Sequence, residues 1–94
     1  MQEFVLGSAV KLTAILEEDI TSGATVTVTI YDSRDIIAVE DADATEVTEK
    51  VFQYIYQSTD NNVDGEYRVI FKIVAGDYTS MAYDTFKFVD VLSD

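Results

Sequence analysis

The amino-acid sequence predicts an all-β domain: a two-sheet antiparallel sandwich of about seven strands. Apolar residues recur with a period of two in segment after segment, as half-buried strands require. The alternating positions are rich in Val, Ile, Thr, Tyr and Phe, the types that suit a pleated surface buried on one side. Short polar turns separate the segments, and 94 residues leave room for one domain, expected to span the whole chain with its core at about residues 8–90.

The elements follow in order. In residues 10–16, Val10, Leu12, Ala14 and Leu16 alternate with Lys11, Thr13 and Ile15. Residues 17–23 are polar and end in the turn-like Thr21-Ser22-Gly23. In residues 25–31, Val26, Val28 and Ile30 alternate with three threonines and Tyr31. Asp35-Ile36-Ile37-Ala38-Val39-Glu40 is a short apolar run between charged turns. Residues 41–57 admit two readings. Val47, Val51, Tyr54 and Ile55 would share one face of a helix. Phe52, Tyr54 and Tyr56 also alternate with Gln53, Ile55 and Gln57, which favours two strands, around 45–48 and 51–57. Residues 58–65 read as a polar turn. Tyr67, Val69, Phe71 and Ile73 then alternate with Glu66, Arg68, Ile70 and Lys72. Ala75-Gly76-Asp77 makes a tight turn, and residues 78–89 return as a long strand with Phe86 and Phe88 inward. Asp84 falls on that inward phase, so a bulge or an edge position is expected at Asp84-Thr85.

Composition narrows the chemistry. Six Lys and Arg stand against 18 Asp and Glu, a net charge of −12, and His, Cys, Pro and Trp are absent. Without His there is no imidazole base or imidazole metal ligand, and without Cys no disulfide, thiolate nucleophile or thiolate metal site. Nucleic acid is not an expected partner, because phosphate contacts need Lys or Arg. Membrane insertion is not expected either, since no run approaches the roughly 20 apolar residues of a spanning helix. Residues 1–6 show no basic region followed by an apolar run, so no signal peptide is expected. The excess of Asp over Glu and the scarcity of Lys would suit a salt-loving host, because hydrated carboxylates keep a surface soluble at high salt. An ordinary, highly charged soluble protein would share that bias.

Asp64-Gly65-Glu66-Tyr67-Arg68-Val69 resembles the start of the sixth strand of immunoglobulin-like domains, where a tyrosine after a tight turn returns its hydroxyl to the backbone. Gly65 and Tyr67 are therefore the expected fold-defining residues. The wider chain resembles a prokaryotic and viral immunoglobulin-like family, through Val26-Thr27-Val28-Thr29-Ile30-Tyr31-Asp32, Thr45-Glu46-Val47, Phe52-Gln53-Tyr54-Ile55-Tyr56 and Tyr83-Asp84-Thr85-Phe86. The resemblance covers roughly residues 8–90 and implies an immunoglobulin-like sandwich. It also implies an accessory role in tailed-virus virions or prokaryotic surface proteins: capsid decoration, a head-tail or tail subunit, a spacer or an adhesion module. The chain departs from antibody domains in lacking their cysteine pair and core tryptophan. It also lacks the proline that often opens these turns.

Asp60-Asn61-Asn62-Val63-Asp64-Gly65 matches the first half of an acidic calcium loop, which makes Asp60, Asn62 and Asp64 candidate calcium ligands. The second half fails, because the position that calls for a bidentate Glu is Phe71. A plain polar turn accounts for the same residues. Asp41, Asp43, Glu46 and Glu49 read as a solvated acidic face, and Asp32, Arg34 and Asp35 as a turn with an ordinary surface ion pair. The serines have no His and no Ser-x-x-Lys motif to activate them, so catalysis is not expected.

Outward-phase apolar residues remain as interface candidates: Ile15 and Ile55 on one sheet, Tyr31 and Ile70 on the other. The expectation is a non-enzymatic interaction module whose partners are other protein subunits, virion proteins or copies of itself. A virion component assembled in the host cytoplasm is the leading reading. A calcium-dependent adhesion or carbohydrate-binding module at an extracellular surface is the alternative.

Overall fold

The computed structural model describes residues 2–16, 24–48, 50–59 and 62–90. Eight strands follow in order: β1 (Glu3–Val5), β2 (Ala9–Ile15), β3 (Thr25–Tyr31), β4 (Ile37–Asp43), β5 (Thr45–Thr48), β6 (Val51–Gln57), β7 (Gly65–Ala75) and β8 (Tyr78–Val89). They form a five-stranded sheet of order β1-β8-β7-β3-β4 and a three-stranded sheet of order β2-β6-β5. All pairings are antiparallel except β1 with β8. The two sheets pack into a β-sandwich of eight strands.

Alternation dictates the core. β2 buries Val10, Leu12 and Ala14, β3 buries Val26, Val28 and Ile30, and β7 buries Tyr67, Val69, Phe71 and Ile73. Each set is every second residue of its strand, as the pleat requires. The described residues of 41–57 form strands, not a helix: the end of β4, then β5 and β6 at 45–48 and 51–57. The alternation Phe52, Tyr54, Tyr56 prevails because Phe52 and Tyr56 are buried, Tyr56 against Tyr67 of β7 and Phe88 of β8, while Ile55 stays on the surface.

At one end the core is aromatic. Tyr67 and Phe86 stack at 5.4 Å between centroids, and Phe88 meets Tyr67 edge-on at 5.0 Å and Phe86 edge-on at 5.3 Å. Tyr56 from the second sheet closes on Tyr67 and Phe88 at 6.2 Å each. β1 extends this cluster before residue 8, bringing Phe4 to 6.0 Å from Phe86. Three residues are too few to show periodicity, which is why that strand is invisible to a pattern search.

The β7-β8 hairpin is joined by Gly76-Asp77, and Gly76 adopts the positive φ of 61° that suits the first position of a two-residue hairpin turn. Pairing runs without interruption from Gly65↔Phe88 to Ala75↔Tyr78. Of the two expectations at Asp84, the bulge does not occur and the edge does: β1 pairs only with Lys87–Val89 of β8, leaving residues 78–86 at an open edge among the described residues. Residues 78–84 are exposed on both faces, including the inward phase that Asp84 occupies. Irregularities occur instead in β4, where pairing with β3 shifts register and Asp41 takes a positive φ of 47°, and in β5, where pairing with β6 shifts between Glu46 and Thr48.

Candidate functional site

Two features stand out once the sandwich is assembled: a joined pair of turns at one end, and the apolar residues on the outer faces of the sheets.

The turn between β3 and β4 is built on Asp32, a buried acid. Its carboxylate accepts hydrogen bonds from the backbone N–H of Arg34 at 2.8 Å and of Ile36 at 3.1 Å. The Arg34 guanidinium donates to the same carboxylate through Nη2 at 2.8 Å. Burial works against the charged form, but the side-chain and backbone bonds from Arg34 and Ile36 outweigh it, so the Asp32 carboxyl is held below its ordinary value of 3.8. The sequence reading of a plain surface pair at Asp32, Arg34 and Asp35 is therefore corrected: Asp32 is a structural acid that organises the turn, and Asp35 pairs with Arg68 on β7. A depressed folded value means this acid contributes stability above about pH 3.8 and loses it as pH falls through the lower folded value. Denaturant unfolding between about pH 5 and pH 2 should show a steeper acid loss for the native chain than for Asp32→Asn.

The second turn leads into β7. Ser33 Oγ donates to the Asp64 carbonyl at 2.7 Å, joining the two turns. Tyr67 Oη donates to the Val63 carbonyl at 2.7 Å, the backward bond that the Asp64-Gly65-Glu66-Tyr67 motif predicts. Burial, with the neighbouring Tyr56 and Asp32, pushes the Tyr67 phenol up to about 12. Its hydroxyl thus stays protonated as a donor across the ordinary pH range. Tyr67→Phe leaves the ring in the cluster and orphans one carbonyl, so a loss of about 1–2 kcal/mol is expected in denaturant titration.

The candidate calcium ligands flank this turn. Asp60 lies outside the described residues. The Asn62 side-chain oxygen accepts from the backbone N–H of Thr59, three residues back, at 2.6 Å, a local side-chain-to-backbone bond within the turn. Asp64 has an exposed side chain, and its carbonyl is engaged by Ser33. Among the described residues no group of three or more carboxylates is placed to hold a metal ion. Asp41, Asp43 and Glu46 lie on exposed positions of β4 and β5, and Glu49 is outside the described residues.

The outer faces carry the interface candidates. On the three-stranded sheet Ile15 is 76% exposed and Ile55 is 55% exposed. They do not adjoin: Ile15 is opposite Val51 and Ile55 is opposite Lys11, with the Thr13–Gln53 row between them. On the five-stranded sheet Tyr31 is opposite Arg68 and Ile70 is opposite Thr29, so the two candidates occupy neighbouring rows of adjacent strands. The Arg68 guanidinium carbon sits 5.2 Å over the Tyr31 ring.

The structure adds residues that the sequence reading passed over. Ile37 is opposite Tyr31 on β4, Tyr83 is opposite Ile70 on β8, and Met81 follows in the next row opposite Lys72. Tyr83 and Met81 are 65% and 64% exposed. Ile37, Tyr31, Ile70, Tyr83 and Met81 thus form an apolar band across four strands of one face. The signal was present in the sequence: Met81 and Tyr83 lie on the opposite phase from Phe86 and Phe88.

Comparisons with protein families, with curated proteins and with solved structures find no match to this chain.

Proposed function

We propose that the chain is a non-enzymatic interaction module, a small virion component of a tailed prokaryotic virus that decorates the capsid or serves as a head-tail or tail accessory subunit. The observation that carries the contact role is the apolar band of Ile37, Tyr31, Ile70, Tyr83 and Met81 on an otherwise acidic domain. Aromatic residues, Met and Arg are enriched where protein surfaces meet, and this band holds all three with Arg68 at its centre. The virion setting rests on the resemblance of the strand and turn motifs to viral and prokaryotic immunoglobulin-like domains. Rigid sheets present such residues without reorganisation, so association costs little ordering entropy.

Density-gradient fractionation of cells producing the virus tests this reading. The chain should migrate with assembled particles at a constant ratio to the major capsid protein. Recovery wholly in the soluble fractions would overturn it.

A further inference from the structure

The open edge of β8 has a geometry that selects its own occupant. Lys87 N donates to the Gln2 carbonyl and the Val89 carbonyl accepts from Leu6 N, so residues 87 and 89 direct their backbone groups away from β7. The uninterrupted β7-β8 register carries that alternation back along the strand, so Thr79, Met81, Tyr83 and Thr85 point theirs at the open edge too. Thr85 N–H is satisfied there by the Asp84 carboxylate at 2.8 Å, not by another strand. Among the described residues, the open stretch runs from the Gly76-Asp77 turn to the β1-covered segment, residues 78–86, and its midpoint is Ala82.

We propose that β8 pairs antiparallel with β8 of a second copy of this chain, about a two-fold axis at Ala82, joining two five-stranded sheets into one. This register matches the whole of one open stretch to the whole of the other. It sets Met81 opposite Tyr83 of the second copy and Thr79 opposite Thr85, and these are the four residues whose backbone groups face outward. Ala82 then meets Ala82 as a non-hydrogen-bonded pair, where side chains approach most closely. Met81 against Tyr83 is a thioether-aromatic contact and occurs twice. The one charge in the stretch, Asp84, falls opposite Ser80. The two Asp84 carboxylates lie about four residues apart along the strands, roughly 14 Å, beyond the screening length of physiological salt.

The remaining edges are poorer templates. β1 has three residues, β4 is bulged and carries Glu40, Asp41 and Asp43, β5 has four residues, and β2 places Lys11 within its seven. Such bulges, charges and short lengths are the usual protections of an edge strand, and residues 78–86 have no bulge and no Lys or Arg. The pairing requires only a second copy and stands whether or not the chain belongs to a virion.

The chain has no Cys, so single cysteines report the register without interference. Ala82→Cys should cross-link to a disulfide dimer under mild oxidation, because a non-hydrogen-bonded pair brings Cα atoms within disulfide reach. Ser80→Cys, whose two copies would be about 14 Å apart, should not. Sedimentation equilibrium should show the native chain at about twice 10.5 kDa, with association strengthening as salt screens the like net charges. Met81→Pro removes only an outward N–H, and Tyr83→Lys adds an edge charge. Both should raise the dimer dissociation constant at least about tenfold while thermal melting shows a folded domain. A native chain that stays monomeric up to millimolar concentration overturns the proposal. So does a dimer in which Ser80→Cys cross-links as well as Ala82→Cys.

Discussion

Phe88→Ala should lower the unfolding free energy by about 3–5 kcal/mol, the largest effect expected of any single side chain in this domain. Phe88 is fully buried and touches Tyr67, Phe86, Tyr56 and Phe4, four rings drawn from both sheets and from β1. Truncation removes the aromatic burial and leaves a cavity whose walls are stiff rings, which collapse poorly. A domain of this size is typically stable by about 5–10 kcal/mol, so the variant should unfold at a much lower urea concentration. A loss below about 1 kcal/mol would mean that the aromatic cluster does not hold the sheets together.

Gly65→Ala should cost about 2–4 kcal/mol through two separable causes. Gly65 has φ of 111°, a backbone conformation that a Cβ makes unfavourable. A Cβ built there would also stand 2.7 Å from Ser33 Cβ and 3.0 Å from Ser33 Oγ, inside contact distance of the neighbouring turn. The two causes separate in a double-mutant cycle. Ser33→Gly removes the steric partner, at the cost of its bond to the Asp64 carbonyl. In that background Gly65→Ala should cost less, with backbone strain the remainder. Equal cost in both backgrounds would assign the whole effect to φ.

Both residues were legible in the sequence to different degrees. Gly65 and Tyr67 form a local signature, complete within four residues, and the hydroxyl bond to Val63 lies where that signature places it. Strand phase was equally legible, because alternation is local and the buried residues of β2, β3, β6 and β7 follow it. What periodicity does not carry is how far the opposite sheet reaches. Asp84 lies on the inward phase yet is exposed, and so are Tyr78, Ser80 and Ala82 beside it. Phe71 and Ile73, opposite Ala82 and Ser80 on β7, are buried, so in those rows the cover reaches β7 and not β8, a long-range fact. The separation of Ile15 from Ile55 by a full row is likewise set by the register of strands far apart in sequence. The burial of Asp32 was not legible for another reason. An acid followed closely by Ser33-Arg34-Asp35 looks solvated until the turn folds its own N–H groups onto the carboxylate.

The claim that the outer face of the larger sheet is a contact surface is tested most directly by titrating purified chain onto particles that lack it. The native chain should bind to a fixed saturating copy number, and Tyr31→Ser with Ile70→Ser should bind at least about tenfold more weakly while melting as a folded domain. Equal binding by the folded double variant, or no saturable binding by the native chain, would contradict the account.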